Sequence, residues 1–413
     1  MNATTQAEGS LRSVLANATY RRLFSAQVVA LLGTGLLTVA LGLLAFDIAG
    51  DDAGLVLGLA LTIKMVAYVG AGPVLAALTW RVPRKALLVG ADVVRGAVAL
   101  LLPLVTEVWQ VYVLILVLQS ASATFTPAFQ ALIPEVLPDE RQYTRALSLS
   151  RLAYDLEALV SPALAAALLT LITFHELFLG TVLGFALSAA LVGAARLPVV
   201  APARAAPFLD RLTRGARIFW CTPELRALLA LDLVVAAPTA LVIVDTVVLV
   251  QAELGRPQPD VALLLAAYGA GSMLVALLLP RILDRIDDRR VMLAASGLAV
   301  LGMAAAAAAI LLGAGWVALL AAWAVLGAAN AGILTTAPRL LRRAADSERR
   351  PAVFAAQFSL SHACFLITYP LAGVLGTAIG VGATAAVLGG VALVAALVAT
   401  AAWRPAAVGA PRG

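Results

Sequence analysis

Five charged side chains, Lys64, Arg151, Asp155, Glu157 and Asp232, sit well inside long apolar stretches of this 413-residue chain. A charge at the centre of a bilayer costs about 2.5–3.5 kcal/mol on insertion scales, so each needs a partner or a task. Lys64 lies about 11 residues into its stretch, near mid-depth at 1.5 Å per residue. Arg151 and Asp155 are four apart and can pair on one helix face, whereas Glu157 points elsewhere. Asp92 and Arg95 have i,i+3 spacing and read as a structural pair. Lys64 and Glu157 lack local partners, which leaves a cross-helix ion pair or a transport role for each. Asp47 and Asp245 fall near the outer ends of their stretches, where water is close. Proton coupling needs a carboxyl that can be neutral when desolvated and charged when water or a cation arrives. Arg151 keeps Asp155 paired, so Glu157 or Asp232 is the better proton carrier. Ser361-His362-Ala363-Cys364 offers soft-to-borderline metal ligands. Residues two apart on a helix face different directions, so a hydrogen-bonded His362 and a packed Cys364 are the expectation, with metal binding as the alternative. Asn330 can donate into a cavity or bond across helices.

The elements that carry these residues are twelve apolar stretches: 23–48, 54–79, 86–104, 108–131, 145–173, 177–196, 226–251, 260–280, 291–313, 316–337, 352–377 and 380–402. A spanning helix needs about 20 mostly apolar residues. Apolar residues make up 62% of the chain and charged ones 13%, which excludes an ordinary soluble domain. The net charge of +6 matters less than its placement. Of 29 basic residues, 25 fall in the tails and in alternate gaps, and the opposite gaps hold Arg256. Such gaps stay cytoplasmic. The chain therefore reads as a multi-pass protein of the cell (inner or plasma) membrane with both termini cytoplasmic, its partners the bilayer rather than nucleic acid. No cleavable signal is read at the N-terminus. The two cysteines fall at different depths and imply no disulfide. Neither lysine follows a glycine, so no Walker A lysine is present, and two histidines do not make a zinc-hydrolase motif. No enzymatic chemistry and no cofactor is expected.

The longest internal polar stretch divides the chain. The expected layout is a tail (1–22), a six-helix half (23–196), a linker (197–225), a second six-helix half (226–402) and a tail (403–413). The linker starts Pro/Ala-rich; Arg211, Arg214 and Arg217 then share one helical side, as an amphipathic helix on the inner membrane surface or a solvated linker would have them. The halves echo each other. Arg81-Val82-Pro83-Arg84-Lys85 follows span two, and Asp284-Arg285-Ile286-Asp287-Asp288-Arg289-Arg290 follows span eight. Ser161-Pro162 in span five matches Tyr369-Pro370 and Gly373 in span eleven, as paired kinks.

Two six-span halves, basic turns after spans two and eight, and a small-Pro-x-x-small element in span five together resemble the major facilitator superfamily. Tyr20-Arg21-Arg22-Leu23-Phe24, Leu32-Gly33-Thr34-Gly35, and Ala131-Leu132-Ile133-Pro134 through Asp139-Glu140-Arg141 are similar to its drug-antiporter branch of macrolide and siderophore exporters. The resemblance implies an all-α membrane protein of 12 transmembrane helices and gating roles for Arg81, Arg84, Lys85, Asp284, Arg285, Arg289 and Arg290. It also gives Ser161, Pro162, Pro370 and Gly373 kink or packing roles. This chain departs from the family at Trp80, where the turn normally has an acid; the second copy retains it as Asp284, which should then carry more of the gating. Ser161, Ala165 and Ala166 replace glycines of the antiporter element but still allow close helix approach. The expected function is proton-coupled efflux of small amphiphilic compounds by a monomer. Divalent metal efflux through His362 and Cys364 is the alternative, and a non-transporting scaffold or sensor the reading from another class.

Overall fold

The computed structural model describes residues 11–49, 53–198 and 206–403. The terminal tails beyond these limits, residues 50–52, and the Pro/Ala-rich linker stretch 199–205 lie outside the described residues. Twelve long helices follow in order: α1 Ala18–Ala49, α2 Gly58–Leu78, α3 Arg84–Leu104, α4 Val108–Val136, α5 Glu140–Leu168, α6 Phe174–Ala194, α7 Pro223–Asp245, α8 Gln258–Leu283, α9 Asp288–Leu311, α10 Trp316–Ala344, α11 Arg350–Ile379 and α12 Val381–Ala402. Among the described residues, eleven are long and apolar enough to cross a membrane. The twelfth, α5, carries Arg141, Arg145, Arg151, Asp155 and Glu157, so its charges rather than its length set it apart. A helix satisfies all its backbone groups within one segment, which is why the hydrocarbon interior selects it. Between α6 and α7 a short helix spans Phe208–Cys221 and carries Arg211, Arg214 and Arg217.

Short polar caps set where several helices begin. Asp139 accepts from the Gln142 backbone N–H at 2.8 Å to start α5, and Asp287 does the same for Arg290 at 2.9 Å to start α9. Thr173 and Glu176 form a reciprocal capping box at α6. Each cap satisfies helix donors that have no intrahelical partner.

The chain packs as two compact units. The first holds the described residues through Leu212 together with Ala276–Pro280 and Ala345–Leu366; the second holds Thr213–Val275, Arg281–Ala344 and the described residues from Ile367. The first part of α11, through Leu366, thus packs with α1–α6. In the first unit, α1 and α6 cross closely at Gly33 and Gly184, where a Cβ on Gly184 would come within 2.8 Å of the Val29 carbonyl. α1 meets α5 at Gly35, where a Cβ would collide with Ser161. In the second unit α8 and α10 approach through a reciprocal pair: a Cβ on Gly271 would strike the Ala324 carbonyl, and one on Gly327 the Tyr268 carbonyl. Lipid tails are as apolar as leucine, so contact area supplied by small residues, rather than water expulsion, holds such helices together. α7 is the most enclosed helix of the second unit, packed among α9, α10 and α12. Val394, Leu397 and Val398 on α12 point outward, as lipid-facing side chains do.

Gly327→Leu should lower the unfolding midpoint of the purified protein, with an overpacking cost of about 1–3 kcal/mol. Gly297, where an added Cβ meets nothing within 4 Å, should tolerate alanine without loss. Equal effects at the two positions, measured by thermal unfolding in detergent, would refute the close-approach account.

Candidate substrate and gating sites

The first site is built on α2. Its backbone changes to the wider i→i+5 spacing over Ala67–Ala71, a local deformation that recurs at functional positions. Lys64 precedes this bulge, and its Nζ stands 5.7 Å from the centre of the Tyr68 ring. The Tyr68 hydroxyl donates to Gln119 Oε1 on α4 at 2.9 Å. Its carbonyl accepts from Ser359 Oγ on α11 at 3.0 Å. His362 meets the Tyr68 ring edge-on at 4.7 Å between centroids, and Phe358 lies 4.8 Å from the same ring. The His362 Nδ1 is 2.6 Å from the Phe358 carbonyl oxygen. A carbonyl only accepts, so Nδ1 carries the hydrogen and Nε2 keeps its lone pair in the neutral ring. Glu157 on α5 is the opposite charge acting on Lys64, and Lys64 in turn acts on His362. The Glu157 carboxylate fits against α1 because residue 35 is glycine: a Cβ there would stand 2.7 Å from Oε1.

Three residues that the sequence offers separately, Lys64, Glu157 and His362, thus fall together in the first unit. The arrangement can do two things chemically. An ammonium, a carboxylate and an imidazole in a half-buried apolar setting can exchange partners with a charged or polar solute. The rings of Tyr68 and Phe358 supply flat apolar surface beside them.

Arg151 and Asp155 form the helix-face pair expected of them, with contacts of 2.6 Å and 3.2 Å. Asp92 and Arg95 are paired and buried. Ser188 Oγ donates to Asp92 at 2.7 Å, and the Arg95 guanidinium lies 4.2 Å and 4.5 Å from the ring centres of Phe125 and Phe185. Helix, serine and rings thus surround that pair, while Arg95 Nε is buried without a hydrogen-bond partner. Asp232 and Asn330 belong to the second unit and are buried. The Asn330 amide donates to Thr239 Oγ1 at 2.8 Å and to the Tyr268 hydroxyl at 2.7 Å, which ties α10 to α7 and α8. Asp47 is exposed, whereas Asp245 is 2% exposed despite its place at the end of α7. Pro162 and Pro370 both lie inside helices, and Gly373 faces Val244 of α7.

The second site lies at the ends of the helices that carry the basic turns. Trp80, standing where the resemblance leads one to expect an acid, is covered by Arg81 and Arg211, whose guanidinium carbons are 4.7 Å and 4.8 Å from its ring. Arg211 also donates to the Ala77 carbonyl at 3.0 Å. A cation–π contact thus occupies the place of the missing carboxylate. Lys85 donates to the Ala195 carbonyl at 3.2 Å, a cation at the end of α6. Arg84 donates to the Ser347 carbonyl at 3.1 Å. Glu135, near the end of α4, accepts from Ser347 Oγ at 3.0 Å and from Arg350, the first residue of α11. Glu135 also acts on Arg84.

In the second unit Asp284 and Arg285 are exposed, and Arg290 pairs with Asp287 at the surface. The buried pairing is made by Asp288, which is 3% exposed and contacts Arg339 at 2.9 Å and Arg343 at 2.7 Å. Asp288 thus anchors the second turn to α10. Glu135, Arg350, Asp288 and Arg339 escape a reading of motifs. One signal does mark them: a 204-residue offset relates Arg84 to Asp288, Pro134 to Pro338 and Glu135 to Arg339. An attraction between turn and helix thus recurs in both halves with its charges reversed, as an ion pair at Asp288 and Arg339 and as a longer-range influence of Glu135 on Arg84.

A family model described as the Major Facilitator Superfamily matches residues 23–244 and 228–412. The chain belongs to the major facilitator superfamily. This superfamily member is 27% identical over 181 residues to macrolide efflux protein A from Streptococcus pyogenes, a match covering 43% of this chain and 44% of that protein. A macrolide efflux protein A from Enterococcus faecalis is 29% identical over 136 residues, 32% of this chain and 42% of that one. The chain is therefore aligned with less than half the length of these relatives. Among solved structures it is similar to the human organic anion transporter MFSD10, with a TM-score of 0.77 at 14% identity over 92% of this chain and 99% of that one. A bacterial homologue of the iron transporter ferroportin in an outward-facing state gives 0.74 at 14% identity, over 93% and 99%. At these identities the likenesses establish the fold alone: twelve helices in two halves.

Asp288→Ala should destabilise this member by about 3–5 kcal/mol, because it removes the buried carboxylate that pairs with Arg339 and Arg343. A double-mutant cycle on Glu135 and Arg350 should return a coupling of about 0.5–3 kcal/mol. Unfolding in detergent reads both; additive effects at Glu135 and Arg350 would dismiss the pair.

Proposed function

We propose that this chain is a secondary active transporter that exports small amphiphilic compounds in exchange for protons, by alternating access. The observation that carries the reading is the gathering of Lys64 and His362 around Tyr68, with Glu157 acting on Lys64, inside apolar helices. An insertion cost borne by three titratable groups in one place calls for a task that a scaffold does not have. Apolar walls with few polar groups suit a hydrophobic solute bearing one charged or polar handle. The relatives' names, macrolide efflux protein A, support export of such compounds.

Exchange follows from competition. Glu157 faces Lys64, and a proton or a cationic solute can each take the place of that ammonium. With Glu157 protonated, Lys64 loses its counter-charge and the solute loses its partner. With Glu157 ionised, the solute can bind. Transport needs the two events to exclude each other, and one carboxyl shared between them suffices. Asp232 in the second unit is the other candidate carrier. The contacts of Arg84, Glu135, Ser347 and Arg350 support an inner latch that must open once per cycle, with both termini cytoplasmic and a monomer as the working unit. Metal efflux has less support, since among the described residues no three His, Cys, Asp or Glu side chains converge.

Proteoliposomes with an imposed pH gradient test the reading through dye efflux. Glu157→Gln or Asp232→Asn should remove the acceleration of efflux by the gradient. If both variants keep wild-type pH dependence, neither residue carries the proton. Movement of a divalent metal but of no dye would instead favour the metal reading, and His362→Ala should then abolish it.

A further inference from the structure

α7 does not end as an ordinary helix. Its backbone widens to i→i+5 spacing over Leu241–Asp245 and again over Val248–Glu253. The first widening turns Asp245 inward, where 2% of its surface is exposed and Oδ2 has no hydrogen-bond partner. Its other oxygen, Oδ1, lies against α11 at Gly376; a Cβ at that position would stand 2.6 Å from it. The carboxyl therefore reaches the α11 backbone only because residue 376 lacks a side chain. α12 packs against the same widened turn and contributes no titratable residue. The outer half of α11 brings Tyr369. On the α7 side the charged group acting on Asp245 is Glu253, a second carboxylate. Glu253 is exposed and accepts from the Val381 backbone N–H at 2.7 Å, which places a carboxylate at the start of α12.

No ion pair reaches Asp245 among the described residues, and its one charged neighbour has the same sign. A buried carboxylate without a counter-ion is strongly unfavourable, and the group takes a proton instead. We infer that Asp245 is a proton-binding site: its carboxyl is neutral while seated against Gly376 and ionises when α7 and α11 part and admit water. This site differs from Glu157 and Asp232. It concerns protonation alone, so it holds or fails independently of the efflux reading.

Dicyclohexylcarbodiimide, an apolar reagent that modifies protonated carboxyls, tests it on the purified full chain in detergent. Mass spectrometry of peptides locates the adduct. The expected result is modification at Asp245 at acidic pH that declines with rising pH, about tenfold per unit above the midpoint. Gly376→Val, by displacing the carboxyl, should shift the decline to lower pH, and Asp245→Asn should lose the adduct while eluting as a folded protein. Two results would overturn the inference: labelling of Asp245 only after denaturation, or labelling of the folded protein that does not change with pH.

Discussion

Everything in this molecule answers to the high cost of an unsatisfied polar group in hydrocarbon. Backbone amides and carbonyls meet that constraint by helix formation, which explains twelve long helices, several of them begun by polar caps. Side-chain charges meet it by pairing. Asp92 with Arg95, Arg151 with Asp155, and Asp288 with Arg339 and Arg343 each bring opposite charges together within buried packing. Arg256, which stands in a gap otherwise free of basic residues, is held by Asp260 at 2.7 Å and covered by Trp316. Against so consistent a background, the carboxyl of Asp245 and the mixed cluster around Tyr68 stand out.

The same constraint explains how the helices hold together. With no water to expel between them, they gain by close contact, and the contacts concentrate where residues are small. Gly33 with Gly184, and Gly271 with Gly327, let backbones touch. Gly35 does more than allow contact, since it makes room for both Ser161 and the Glu157 carboxylate. Gly376 makes room for Asp245 in the same manner. Small residues thus serve both packing and the seating of charged groups. A sequence motif does not distinguish the two uses, because what differs is the neighbour on the facing helix.

The basic turns show how a fold can keep a task while exchanging its chemistry. At Trp80 an aromatic face takes two guanidinium groups where the family's turn has a carboxylate. Between the halves, Arg84 with Glu135 becomes Asp288 with Arg339, so the attraction survives with the signs exchanged. A salt bridge depends on the product of its charges and on their separation, and reversal leaves both unchanged. The expectation that Asp284 would carry the second turn follows the motif's register. A buried pairing also forms four residues later, where Asp288 at the start of α9 meets Arg339 and Arg343 of α10.

Hydropathy and the distribution of arginines were enough to read twelve spans and a two-half architecture, because membrane insertion acts on each segment separately. The pairing of Arg151 with Asp155 was legible for the same reason, being fixed within one helix. The meeting of Lys64, Glu157 and His362 was not, since they are carried by α2, α5 and α11 and helix rotation decides whether they face one another. Nor was the burial of Asp245 legible: on a regular helix its place near the end of α7 reads as interfacial, and the local widening of the backbone turns it inward. The sequence by itself determined the elements and their local pairs, which depend on neighbours along the chain. The tertiary structure decided which charges share a site, because that depends on contacts between residues hundreds of positions apart.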